Sequence, residues 1–120
     1  RYGARLSSLC QEVFLTLALD AKNRVTSETL VAVGTLAACP IHPREVFRAL
    51  VREAASTVIF VHNHPSGDPS PSPDDVDLTA RLASSGELLG IRVLDHVIVA
   101  RDGSYSFADA GLLGTRGRVP

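Results

Sequence analysis

The sequence predicts an α/β domain in which a mixed β-sheet is flanked by helices. Short apolar runs rich in Val, Ile, Leu and Phe recur along its 120 residues, too short for helices of their own. Between them lie two stretches whose apolar residues return at helical spacing. Gly, Pro, Asn and Asp collect at the junctions, where chain reversals need them.

Taken in order, Arg1 to Leu9 read as a lead-in, the end of a helix continuing upstream. Glu12 to Leu19 is apolar and β-rich enough for a central strand. Asp20 to Asn23 is a turn, and Arg24–Ser27 with Thr29–Val33 form one strand or two short ones closed by Gly34. Cys39 to Pro43 is loop, with Pro43 suited to the first position of a helix. From Arg44 to Ala55, Val46, Phe47, Leu50 and Val51 make one apolar stripe of an amphipathic helix. Thr57–Val61 is a buried strand that runs into His62-Asn63-His64. A proline-rich loop then leads to a second helix, from Asp74 to about Ser85, with Val76, Leu78, Ala80, Leu82 and Ala83 inward. Ile91–Leu94 and His96–Val99 form a strand, Arg101–Gly103 a hairpin turn, and Ser104–Phe107 its partner. After Gly111 the chain thins to a frayed tail. The expectation is a single domain over residues 1–120.

Composition narrows the function classes. At 45% apolar with a net charge of −1, the chain can bury a core but carries no basic footprint. Nucleic-acid binding through this domain alone therefore lacks electrostatic support. No apolar run nears the roughly 18 residues a membrane span needs, and no signal peptide is visible, so a cytoplasmic setting is expected. Cys10 and Cys39 have no spaced partners and are expected to stay reduced and outside any metal site. The chain holds no methionine and opens on Arg1, which reads as a domain cut from a longer protein.

The chemistry concentrates between His62 and Asp75. Residues i and i+2 of a strand face the same side, so His62 and His64 aim two imidazoles at one place. Pro65, Pro69, Pro71 and Pro73 stiffen the loop that follows. Asp75 then falls in the first helical turn. Two histidines and a carboxylate that leave one position open are the donor set of a catalytic zinc. Taken alone, Ser72-Pro73-Asp74-Asp75 is also an ordinary helix start, with a serine cap and an acidic third position. The histidine pair just upstream tips the reading toward a metal, with Zn2+ activating a water as nucleophile. His42 and His96 stand apart in sequence and read as structural. A proton-transfer group is still needed, and the candidates are Glu12, Glu45, Glu53 and Glu87. Glu45 begins a helix, where a carboxylate suits the dipole, and Glu53 and Glu87 lie late in helices. Glu12, at the start of an apolar strand, has no packing reason to be acidic, so it is the candidate base.

The spacing His62-x-His64, then Ser72-x-x-Asp75, matches without a gap the H-x-H-x7-S-x-x-D signature of the JAB/MPN (JAMM) metalloproteases. The phrases His42-Pro43-Arg44-Glu45-Val46-Phe47, His62 to Pro69 and Leu94-Asp95-His96-Val97-Ile98-Val99 resemble the bacterial RadC branch of that superfamily. The resemblance runs from about Leu9 to Gly111. It implies a cytidine-deaminase-like JAB/MPN fold, with zinc held by His62, His64 and Asp75. It also implies a catalytic glutamate matching Glu12 and a serine, Ser72, that orients the water or stabilises the oxyanion. The implied reaction is hydrolysis of a peptide or isopeptide amide in an unknown protein or peptide substrate. Full-length RadC proteins resemble this chain plus an N-terminal helix-hairpin-helix region, absent here, and the insertions that grip ubiquitin in JAMM deubiquitinases have little room in it. Competing readings are a catalytically silent scaffold and a metal-dependent nuclease in DNA repair. A zinc nucleobase deaminase is a third, but it needs H-x-E and P-C-x-x-C, which the chain lacks.

Overall fold

The computed structural model describes residues 12–33 and 41–113. The lead-in, Gly34, Cys10, Cys39 and the tail beyond residue 113 lie outside them. Five strands and two helices follow one another as β1 (Val13–Leu19), β2 (Val25–Val33), α1 (Pro43–Arg52), β3 (Thr57–Asn63), α2 (Pro73–Leu89), β4 (Arg92–Ala100) and β5 (Gly103–Ser106). They build one sheet in the order β2-β1-β3-β4-β5. β1 is antiparallel to both β2 and β3, β3 and β4 are parallel, and β5 returns antiparallel to β4. The mixed α/β sheet of the sequence analysis is therefore present. β3-α2-β4 is its crossover unit, the long connection that parallel strands require.

Period-2 alternation divides the strand residues between two cores. Phe14, Ala18, Val58, Phe60 and Val93 pack with Val46, Phe47 and Leu50 of α1 and with Leu78 and Leu82 of α2. Leu15, Leu17, Leu19, Val61 and Val99 form the second cluster. All of β1 is buried, which is why its sequence reads as a continuous apolar run.

Local chemistry sets the turns and helix ends. Asp20 Oδ1 accepts the backbone N–H of Lys22 at 2.9 Å and of Arg24 at 3.0 Å, an Asx-type turn that feeds β2. β2 is a single strand, and its register against β1 shifts twice, near Leu15 and near Leu19. α1 stops at Arg52 rather than running to Ala55. Ala54 adopts a left-handed φ of 55°, while its N–H bonds to Val51 O and that of Ala55 bonds to Leu50 O. This is a Schellman stop without glycine, so nothing in the residue types announces it. Val51 is exposed, and the buried stripe of α1 is Val46, Phe47 and Leu50.

α2 runs past Ser85 to Leu89 and ends at Gly90, whose φ of 75° is the left-handed cap. Its inward stripe is Asp75, Leu78, Thr79, Leu82, Ala83 and Gly86, while Val76 and Ala80 are only half-buried. Ser84-Ser85-Gly86 resembles a helix break, but Gly86 serves close packing. A Cβ there would lie 2.4 Å from the backbone oxygen of Ile91. No helix of the described residues is long and apolar enough to cross a membrane.

Candidate metal centre

β3 ends where β1 begins, and the last pair of that ladder is Phe14 opposite His62. Two residues upstream of Phe14, Glu12 stands beside the same imidazole. α2 starts above this corner after the proline loop, so His62, His64, Asp75 and Glu12 meet although 50 residues separate the first strand residue Val13 from Asn63.

The first half of the loop is pinned at two points. His64 N–H donates to Val99 O on β4 at 2.9 Å, and Asp102 N–H, in the β4–β5 turn, donates to Gly67 O at 3.0 Å. Gly67 has φ 96°, a left-handed conformation that favours glycine there.

The histidine rings stand edge to face with centroids 5.0 Å apart. His62 is fully buried and lies between two carboxylates. Asp75 Oδ1 is 3.5 Å from its Nδ1, and Glu12 Oε1 is 3.6 Å from its Nε2. Neither ring nitrogen has a hydrogen-bond partner. Buried polar atoms are nearly always satisfied, and an unpartnered imidazole facing two acids suits a cation. His64 is oriented differently. Its Nδ1 lies 3.0 Å from the carbonyl of Asp68, which can only accept, so the neutral ring carries its proton on Nδ1. The lone pair is then on Nε2, which points into the site 3.1 Å from Asp75 Oδ2. A backbone carbonyl fixing the tautomer of a histidine is the usual support of a metal ligand.

Asp75 serves two structures at once. Its Oδ2 accepts the Ser72 N–H at 2.8 Å while its own N–H donates to Ser72 Oγ at 3.1 Å, a complete capping box. The same carboxylate faces both histidines, so its capping role does not take it away from the histidine corner. Burial raises the Asp75 carboxyl, but the His64 hydrogen bond, the Ser72 N–H and the nearby histidines outweigh it and hold it near about 2. Burial holds the His62 imidazole below its ordinary value in spite of both acids, and the Asp75 hydrogen bond holds His64 above it. Neutral His62 is the form that binds a metal.

Glu12, His62 and His64 each offer a ligand atom, and the three lie within 4.8 Å of one another. The structure thus brings Glu12 as close to the histidine pair as a ligand would be, while Asp75 touches both rings. Ser72 is exposed and its hydroxyl caps α2. Glu45 pairs with Arg48 at 2.7 Å on the surface and has no part in the site. His42 is the exposed N-cap residue of α1 and makes no side-chain capping bond.

Two residues went unnoticed in the sequence, and one was set aside. Asn63 is fully buried, and its Oδ1 accepts the Val13 N–H next to Glu12. His96 does not stand apart, because its ring centroid is 5.9 Å from that of His62. It contacts Thr79, which no motif singled out. The parallel pairing of β3 with β4, which sets Phe60 opposite His96, was the missing information.

Comparison with known proteins agrees with this architecture. The family model described as RadC-like JAB domain matches residues 2–112. A UPF0758 protein of Syntrophotalea carbinolica is 53% identical over 112 residues, covering 93% of this chain and 49% of the relative. One from Trichlorobacter lovleyi is 54% identical over 103 residues, 86% of this chain and 45% of that protein. A third, from Methanosarcina barkeri, is 47% identical over 103 residues, again 86% and 45%. Relatives occur in archaea as well as bacteria, which broadens the bacterial expectation. The chain spans about half the length of the curated relatives it matches. With a mixed five-stranded sheet, a convergent His/His/acid corner and a family match along nearly its whole length, the chain belongs to the RadC-like JAB domain family.

Proposed function

We propose that the domain is a zinc-dependent hydrolase of peptide or isopeptide amides. In this reading His62, His64 and Asp75 hold the ion, Glu12 is the general base and Ser72 assists the oxyanion. The observation that carries it is the buried His62 ring, unpartnered at both nitrogens and flanked by one acid on each side. Zinc, when bound, supplies a Lewis acid that polarises the carbonyl and brings the pKa of a bound water to about 7.

The division of labour follows from how each carboxylate is held. Asp75 is fixed by the Ser72 N–H and by α2, which suits a rigid ligand. Glu12 precedes β1, keeps 20% of its side chain exposed and faces His62 from the open side. It takes a proton from the attacking water and delivers it to the leaving nitrogen as the C–N bond breaks, the usual role of a positioned carboxylate. Ser72 Oγ accepts from Asp75 N–H and so keeps its own O–H free to donate to the developing oxyanion.

A second arrangement, with Glu12 as a ligand, is favoured by the convergence of Glu12, His62 and His64 within 4.8 Å. Elemental analysis separates the two. Glu12→Gln retains zinc and loses turnover if Glu12 is the base, and loses zinc if it is a ligand. His62→Ala should lose the ion in either case; full retention would remove the site. A peptide-library assay run beside a nuclease assay identifies the reaction. Cleavage of nucleic acid alone would refute the amide hydrolase reading, and zinc without any turnover would favour the scaffold.

A further inference from the structure

We infer that His96 and Thr79 are positioning residues, forming a buried strut that sets the first turn of α2 and thereby the carboxylate of Asp75. The inference rests on the reading of Asp75 as a metal ligand. Thr79 Oγ1 lies 2.7 Å from the Asp75 backbone oxygen, which can only accept, so the hydroxyl spends its single proton there. The same Oγ1 is 2.6 Å from His96 Nδ1. That second bond therefore needs its proton from the imidazole. His96 is the Nδ1–H tautomer, and a directed chain runs from His96 Nδ1–H to Thr79 Oγ1–H to Asp75 O.

The imidazole at the head of this chain cannot turn away. Phe107 stacks on it at 4.7 Å with planes 9° apart, and Phe14 meets it edge-on at 5.4 Å. Its backbone N–H donates to Asp95 Oδ1 at 2.7 Å, and its carbonyl accepts the Phe107 N–H at 3.0 Å. Asp95 also takes the Ser106 hydroxyl at 2.6 Å, which ties β4 to β5 next to His96. His96 Nε2 is buried without a partner. An unsatisfied nitrogen in the core costs stability that a leucine at this position would not incur, so packing alone is a poor account of the residue. Burial keeps the ring neutral, with its pKa pushed down to about 3, so the direction of the chain does not change near neutral pH.

Partners that orient a metal ligand typically contribute 10–100-fold to metal affinity. The test uses the full chain, metal-free, titrated with zinc against a chelator of known affinity. Thr79→Val keeps the shape but removes the hydroxyl, and is expected to weaken zinc binding by about 10–100-fold. Thr79→Ser keeps the bridge and should restore binding to near the parent value. The visible spectrum of the cobalt-loaded protein should shift in Thr79→Val and not in Thr79→Ser. The 15N resonances of His96 in the unmutated chain should report Nδ1 protonated, a readout that needs no variant to fold. Unchanged zinc affinity and cobalt spectrum in Thr79→Val, beside loss of zinc in Asp75→Ala, would overturn the strut and leave the metal site standing. Zinc binding indifferent to Asp75→Ala would overturn both.

Discussion

Gly86→Ala tests the packing of α2 by the sign of its effect. Helix propensity alone favours alanine over glycine by about 1 kcal/mol in a helix interior. The structure opposes this. The new Cβ would sit 2.4 Å from Ile91 O, 3.3 Å from Val93 Cγ2 and 3.4 Å from Phe47 Cζ. The first contact is backbone at the entrance to β4, and no rotamer change relieves it. Separating the two segments also stretches the 2.9 Å bond from Ile91 N–H to Gly86 O, worth about 1 kcal/mol net. Overpacking of this kind costs about 1–3 kcal/mol, so the balance after the propensity gain is a loss of roughly 1–3 kcal/mol. For a domain of this size that lowers Tm by about 5–20 °C. The assay is urea unfolding of the metal-free protein, with Ser84→Ala on the exposed face of the same helix as reference. Ser84→Ala should gain a few tenths of a kcal/mol, about the difference in propensity. Gly86→Ala as stable as Ser84→Ala would refute the close packing of α2 on β4. Gly86 is about three helical turns from Asp75, roughly 16 Å, so zinc affinity should change much less than stability.

Other outcomes follow from the same contacts. Asn63→Leu leaves the Val13 N–H without its acceptor, which should cost about 1–3 kcal/mol and speed hydrogen exchange at Val13. Ser72→Ala removes the cap of α2 and should cost about 0.5–2 kcal/mol, measured by urea unfolding without metal. The pH dependence of stability follows from His96, whose burial pushes its pKa down to about 3 from the ordinary imidazole value of 6.5. Its contribution is whole above pH 6.5 and is lost as pH falls toward 3, because the unfolded chain takes up a proton that the folded one refuses. At pH 5 the loss is about 2 kcal/mol at 1.36 kcal/mol per unit. His96→Leu should flatten urea stability between pH 7 and 5, and an unchanged slope would show that His96 is not held neutral.

The fold was legible where residue type and period agree. β1 and β3 read as apolar runs because both their faces are buried, and the proline and serine at the start of α2 form the cap their order implies. The helix ends were less legible for opposite reasons. α1 stops at Arg52, with Ala54 just beyond it in a left-handed conformation that alanine rarely takes, while α2 continues through a glycine used for contact. His62, His64 and Asp75 could be read together because they are near in sequence and follow strand and helix periodicity. Glu12 could be singled out by its chemistry, but its distance to His62 depends on strand pairing. Thr79 and His96 were not legible as a pair. Their contact depends on how α2 lies over β4, and no spacing within one element encodes that.

The three groups around His62 also differ in how far the chain must close to bring them together. His64 and Asp75 are 11 residues apart, whereas Glu12 reaches His62 across 50 residues of intervening chain. Loop-closure entropy grows as the logarithm of length, so the second encounter costs about 1 kcal/mol more than the first. Glu12 is also delivered only by a non-local pairing of the kind that forms slowly. During folding, then, His62, His64 and Asp75 can meet before the Glu12 carboxylate is in place. On the proposed function, ion capture would precede competence for bond cleavage, and the partly folded chain would be spared a working hydrolytic centre beside its own exposed amides.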